Sequence, residues 1–243
     1  MNKQQKQSAI FNWSSGKDSA FALYKIQQEG HFEIKSLVTS VNKELNRVSM
    51  HGVRLELLDN QAENLGLPLH KLMSPEIPSM ENYNNMMRTA MSNFKQQGVN
   101  YSIFGDIFLE DLRLYREEQL KEVNMQAVFP LWKLPTHELM KEFLTAGFKA
   151  IIVCVNDKFL DKSFIGRIID HDFLNDLPAD VDPCGENGEY HSFVFNGPIF
   201  KHPVRFTIGE IVHKEYLKEK DESEDHSIIN HDTSFYYCDL LPN

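Results

Sequence analysis

The hexapeptide Ser14-Ser15-Gly16-Lys17-Asp18-Ser19 lies between two runs of different character. Ahead of it is the apolar stretch Ala9-Ile10-Phe11; behind it, Ala20-Phe21-Ala22-Leu23-Tyr24 has a helical composition. A buried strand, a turn of small hydroxyl residues and glycine, then a helix together make an anion seat. Free N–H groups of the first helical turn and the positive end of the helix dipole converge on such a loop. Lys17 adds a full charge, and Ser14, Ser15 and Ser19 add hydroxyl donors. The expected occupant is nucleotide phosphate.

A Walker A motif would need glycine at position 11 and Ser or Thr at 18, where this chain has Phe11 and Asp18. A carboxylate belongs in a phosphate seat when a divalent cation, or its bound water, lies between the charges. The plain alternative is a hydrophilic strand-turn-helix corner. The hexapeptide resembles the PP-loop, Ser-Gly-Gly-Lys-Asp-Ser, of the ATP pyrophosphatases, with Ser15 replacing the first glycine. Serine enters the positive-φ region less readily than glycine does.

Strand and helix signals alternate beyond the loop, the mark of an α/β domain with a parallel sheet. Strands are expected at 34–41, 68–73, 101–104 and 149–155. Helices are expected at 52–65, stopped by Gly66, from Ser79 to Gly98, at 112–124, and from Thr136. Methionines 80, 86, 87 and 91 read as core filling. Past residue 156 come short helices at 160–174, a polar cluster at 182–191, and strand-like alternation at 204–208 and 235–238. Residues 1–156 are therefore expected to form a nucleotide-binding domain, and 157–243 a small α+β lobe against the sheet's carboxyl edge.

No apolar run approaches the roughly 18–20 residues of a membrane span, and the polar start, Met1 to Gln7, does not read as a secretory signal. Cys154, Cys184 and Cys238 are widely spaced and fit neither a zinc pattern nor a disulfide framework. A cytoplasmic protein is expected. The net charge of −10 disfavours non-specific nucleic-acid binding. Part of the acidic excess is the run 218–225, read as a solvated loop.

Residues just past parallel strand ends face the ligand crevice, which singles out Thr39, Ser40, Val41, Gly105 and Asp106. Gly105 would allow close backbone approach, and Asp106 would hold a metal water or a ligand hydroxyl; a turn-capping aspartate is the bland alternative. Arg113 and Arg116 follow on one helix, where either is a fork for phosphate or carboxylate or a solvated side chain. In Gly185-Glu186-Asn187-Gly188-Glu189-Tyr190, two carboxylates three residues apart need a cation or an amine to offset them, unless both face water from a hairpin.

Four segments occur in one order: 14–19; His51-Gly52-Val53-Arg54 with Gln61 to Leu69; Gly105-Asp106; and Cys184 to His191. Together they resemble the diphthine–ammonia ligase family, and Gly197-Pro198-Ile199-Phe200 matches the residues that usually come after its late motif. The resemblance covers about residues 9 to 208. It implies an adenine-nucleotide α-hydrolase-like (HUP-type) parallel sheet with helices on both faces, plus a small lobe. It also implies ATP-driven conversion of a carboxylate to an amide, with release of AMP and pyrophosphate.

Asn187 stands where the archetype has glycine and His191-Ser192 replaces Glu-Thr; with Gly-Asp-Ile-Phe-Leu-Glu-Asp-Leu-Arg at 105–113, the chain looks more like the bacterial-type relatives, which leaves the acceptor carboxylate open. On this resemblance Ser14, Ser15, Gly16 and Ser19 cradle pyrophosphate, Lys17 neutralises it, and Asp18 and Asp106 order Mg²⁺. Thr39 and Val41 contact adenosine through their backbones, and Gly105 lies close by. Glu186 and Glu189 handle ammonium, while Gly188, Tyr190 and Arg116 face the acceptor. Ammonia is expected free in solution, and a homo-oligomer is left open. The rival readings are a PP-loop tRNA-modifying enzyme of thiolase or lysidine type, a non-catalytic ATP sensor, and an α/β interaction module. A thiolase would want reactive cysteines, of which only Cys184 is near the late motif.

Overall fold

A computed structural model describes residues 6–49, 51–75, 79–216 and 233–243; the charge run at 218–225 lies outside them. Strand β1 (Gln7–Asn12) is the centre of the first sheet, paired in parallel with β2 (Phe32–Asn42) and β5 (Tyr101–Ile103). Strand β4 (Leu69–Ser74) adds in parallel beyond β2, and β6 (Gln126–Val128) beyond β5. The two-residue β3 (Arg47–Val48) pairs antiparallel with the end of β2. The parallel order is thus β4-β2-β1-β5-β6, and its reversal on either side of β1 opens a crevice at the carboxyl ends.

Successive residues of β1 point to opposite faces, and both faces are covered. Ala9 and Phe11 enter a core with α1 (Lys17–Glu29), α2 (Leu55–Leu65) and α5 (Thr136–Thr145). Ile10 enters a second core with Met91 and Phe94 of α3 (Met80–Gln96) and Leu120 of α4 (Glu110–Glu122). Met86 and Met87 pack against that second core, as core-filling residues should. Gly66 ends α2 in the left-handed conformation at φ 67°, and the Ser79 hydroxyl caps α3 by accepting from the Asn82 N–H.

One expectation needs correcting. Strand β7 (Lys149–Asn156), expected as the last strand of the parallel alternation, belongs to a second, antiparallel sheet of order β8-β7-β10-β9. Its neighbours are β8 (Tyr190–Asn196) and β10 (Thr233–Pro242), and β9 (Phe206–Tyr216) lies at the edge. Every residue of β7 after Lys149 is buried, so its sequence is one apolar run. Such a run marks a strand covered on both faces and does not reveal the direction of its neighbours. The short helical region contains a 3₁₀ turn at Lys162–Phe164 and α6 (His171–Asp176).

A single apolar cluster runs from Ala9 and Phe11 through Ile151 and Val153 to Leu240, so the two sheets share one core. No described helix is long and apolar enough to cross a membrane.

Candidate active site

The 14–19 loop leaves β1 and enters α1 with Gly16 as the N-cap residue. Ser15 sits at φ 73°, a conformation that costs an L residue about 1–2 kcal/mol. Its side chain is fully buried, and its Oγ has no hydrogen-bond partner. The other hydroxyls knit the turn: Ser14 donates to Ser19 Oγ at 3.1 Å, and Ser19 donates to the Gly16 carbonyl at 2.9 Å. Gly16 must be glycine, because a Cβ there would lie 2.8 Å from the His51 ring and 3.1 Å from the Ser192 carbonyl. A Cβ on Gly105 would come within 2.9 Å of the Ser19 backbone nitrogen, so the end of β5 also presses directly on the first turn of α1.

The second sheet and the loop before β8 supply the facing wall. Ser192 of β8 accepts the Lys17 N–H at 3.2 Å, and the Lys17 ammonium donates to the Cys184 carbonyl and to both Asp18 oxygens. Lys17 is 3% exposed, and its ammonium lies 5.3 Å from the centroid of the Tyr190 ring. Burial works against that charge, but Asp18 and the neighbouring Tyr190 and Cys184 outweigh it and raise the pKa. Asp18 is itself pushed up by burial, with Lys17 opposing.

Glu186, in the loop before β8, accepts the Ile107 N–H at 3.2 Å, just past Asp106. Burial first, then the charge of Asp18, pushes its carboxyl up to about 7; Lys17 and the Ile107 hydrogen bond resist, and Asp106 adds to the rise. Glu186 therefore senses the phosphate loop and the β5 end together, and it titrates near neutrality.

Glu189 is turned the other way. It is 1% exposed and accepts from the Asp182 N–H at 3.0 Å, the Asn187 N–H at 2.8 Å and the Asn187 side-chain amide at 3.0 Å. Asp182 works alongside it, accepting from the Cys184 N–H at 2.8 Å and the Thr136 hydroxyl at 2.7 Å. The Tyr190 hydroxyl donates to the Pro183 carbonyl at 2.5 Å, and burial raises its pKa far above the usual value. Gly185, at φ 68°, leaves room for the Tyr190 ring, which a Cβ would meet at 2.9 Å. Gly188, at φ 84°, faces open space. Glu189, expected beside Glu186 at the amine, accepts these three bonds from its own loop. Tyr190, expected to face the acceptor, has its hydroxyl engaged inside that loop.

Asp106 and Arg116 are ion-paired, with Nη2–Oδ1 and Nε–Oδ2 both at 3.1 Å, and the guanidinium lies 4.4 Å from the Phe104 ring centroid. Burial raises the Asp106 pKa and Arg116 opposes the rise. Arg113 pairs with Glu117 one turn on and stacks on Trp132 at 4.7 Å. Thr39 donates its hydroxyl to the Trp13 carbonyl at 2.7 Å. Thr39 and Val41 lie opposite Lys71 and Met73 in the ladder with β4, so their backbone groups face away from the 14–19 loop. The alternate carbonyls, of Val38 and Ser40, point toward it and accept from Trp13 and Ser49.

Three contributors at this seam have no role assigned from sequence. His51 and His191 stack with centroids 4.7 Å apart, and the His51 Nδ1 is 3.2 Å from the Ser192 carbonyl. Burial lowers His51 to about 4, and burial with the neighbouring His51 and Lys17 lowers His191 further below its usual value. The third is Gln61, fully buried under Ser15. All three fall inside the family-like segments, which is the only signal the sequence offers for them. Among the described residues, no group of three or more His, Cys, Asp or Glu is arranged to hold a metal ion.

A β4-β2-β1-β5-β6 parallel sheet, covered on both faces and carrying Ser-Ser-Gly-Lys-Asp-Ser at the carboxyl end of its central strand, defines a PP-loop protein of HUP-type fold. The diphthamide synthase N-terminal domain matches residues 6–127, and the diphthamide synthase C-terminal domain matches residues 135–225. The chain belongs to the diphthamide synthase family. Similar proteins include the diphthine–ammonia ligases of Bos taurus (25% identical), Homo sapiens (24%) and Mus musculus (26%). Each alignment covers 82% of this chain and 82% of the relative.

Proposed function

We propose that the protein is an ATP-dependent ligase that adenylates a carboxylate and transfers ammonia to it, releasing AMP and pyrophosphate. The observation that carries this reading is Glu186, whose carboxyl bonds the Ile107 N–H just past Asp106 and is pushed up to about 7 by burial and by the charge of Asp18 in the phosphate loop. The names of the relatives support ammonia as the nucleophile and a carboxylate as the acceptor. Diphthine is the acceptor those names give; the departures at Asn187 and His191 leave another carboxylate open.

A carboxylate is a poor acyl donor until its oxygen attacks the α-phosphorus of ATP. The α1 N-terminus, the left-handed Ser15 with its unpartnered Oγ, and Lys17 together hold the departing pyrophosphate. Lys17 turns from Asp18 and the Cys184 carbonyl toward phosphate when ATP enters. Mg²⁺ needs only one or two protein carboxylates when phosphates supply other ligands, so Asp18 and Asp106 fit it, and when bound it neutralises the triphosphate. Glu186 then takes the proton of the attacking ammonia, and AMP leaves. Glu189, Asp182 and Tyr190 hold the loop that aims Glu186. Arg116 sets the Asp106 carboxylate and lies at the acceptor side.

Sulfur transfer is the weaker reading, because burial pushes Cys184, Cys154 and Cys238 away from thiolate; Cys154 rises to about 12 and Cys238 to about 11. We also place the division between the lobes before β7, because that strand is a member of the second sheet. Incubation with ATP, Mg²⁺, ammonium and a panel of carboxylates tests the function. AMP and pyrophosphate in equal amounts, dependent on both ammonium and one carboxylate, are expected; ADP with orthophosphate would overturn the reading.

A further inference from the structure

We infer that Gln61 is the positioning residue that holds the phosphate loop in its binding shape and ties that shape to the second lobe. The inference rests on the reading of the loop as an ATP site. Gln61 projects from α2 and is fully buried. Its Oε1 accepts from Trp13 Nε1 at 2.8 Å, and its Nε2 donates to the Ser15 carbonyl at 3.1 Å and the Val194 carbonyl at 2.6 Å. The indole is only a donor and the two carbonyls are only acceptors, so the amide has one possible orientation. All three partners matter to the site. Trp13 leads into the loop, Ser15 is its left-handed residue, and Val194 lies on β8 two residues after Ser192.

Ser15 is where the strain sits. Its φ of 73° would come freely to glycine, but here a side chain has to be held there. Two donors converge on its carbonyl, Gln61 Nε2 and the Val194 N–H at 3.0 Å, and they fix the orientation of the Ser15–Gly16 peptide. That peptide opens the run of N–H groups at the start of α1. Gln61 thus does for Ser15 what a glycine would do by intrinsic freedom. The same amide bonds β8, so the loop shape and the seating of the second lobe are set by one side chain.

A thermodynamic cycle tests this, with Mg·α,β-methylene-ATP as the probe and calorimetry and thermal unfolding as the readouts. Gln61→Met keeps the shape of the side chain and removes its amide. Affinity is expected to fall about tenfold or more. Ser15→Gly in the same chain is expected to recover at least about a third of that loss on a logarithmic scale, without restoring the thermal midpoint. Recovery of affinity alone separates loop positioning from general core stability.

Additive effects of the two changes, or wild-type affinity in Gln61→Met, would overturn the inference. Should Gln61→Met not fold, Gln61→Asn, whose shorter amide cannot reach all three partners, is carried through the same cycle with the same expectations. Collapse of both variants with no recovery by Ser15→Gly would place Gln61 in the general core and overturn it as well. If the unaltered protein fails to bind the probe, the ATP reading fails first; if it binds and the cycle is additive, only this inference fails.

Discussion

The 14–19 loop takes its shape from a strand, a helix and the dipole between them, whereas the 182–190 loop takes its shape from carboxylates turned inward. In the first, the polar groups that do chemistry also define the turn. In the second they are separated: Asp182 and Glu189 bond backbone N–H groups of the loop, Asp182 also takes the Thr136 hydroxyl, and Glu186 bonds the Ile107 N–H at the end of β5. Two glutamates that look equivalent in sequence therefore have different physical tasks. Hydrogen-bond partners distinguish them, because a carboxylate that accepts three bonds within its loop has few lone pairs left for a substrate.

The comparison breaks most visibly at Lys17. Lys17→Ala removes the ammonium at the phosphate loop, and AMP formation is expected to fall by about a hundredfold or more, followed by coupled pyrophosphate assay. Retention of activity would move the phosphate seat elsewhere. The pair Glu186→Gln and Glu189→Gln sharpens the contrast. The first is expected to lower amide formation about ten- to a hundredfold with an unchanged fold. It also removes an acid limb: in the unaltered enzyme Glu186 is a base only above its pKa of about 7, so the rate should fall as pH drops through 7, beyond the loss of free ammonia itself. Glu189→Gln places an amide N–H₂ against backbone donors and should instead lower stability by about 1–3 kcal/mol in denaturant titration. A shared catalytic defect with intact stability in both variants would erase the distinction.

The smallest effect concerns the ties between the lobes. Asp239 of β10 accepts from Arg54 at 2.7 and 3.0 Å and from Arg47 at 2.8 Å, and these bonds hold its carboxyl at about 2. Its folded pKa lies below the usual carboxylate value, so the tie is present above about pH 4 and is lost as pH falls toward 2. Asp239→Asn should cost about 1 kcal/mol at neutral pH, discounted for the partial exposure of the pair, and only a small part of that at pH 2. A cost independent of pH would mean that packing of the residue, not its charge, is what matters.

Legibility in the sequence divides along the same line. Ser14 to Ser19 can be read because the strand, turn and helix that form the loop are contiguous, and the dipole comes from their order. The parallel alternation can be read for the same reason, and β7 is misplaced because its continuous apolar run carries no record of its neighbours. Gln61, His51 and Ser192 cannot be read, since each acts through a partner more than thirty residues away. Thr39 and Val41 lie at the expected strand end, and their backbone groups join the ladder with β4; sequence does not say which ladder takes which N–H. The left-handed Ser15 is the instructive case: its departure from glycine is visible in the sequence, and the amide that compensates for it is not.

Carboxylate-dependent exchange of labelled pyrophosphate into ATP, measured without ammonium, isolates the first half of the proposed reaction. The division of labour predicts that Lys17→Ala abolishes exchange, while Glu186→Gln retains most of it and loses only amide formation when ammonium is added. Equal loss of exchange in both variants would contradict it, since the two loops would then be acting on one step and not on two.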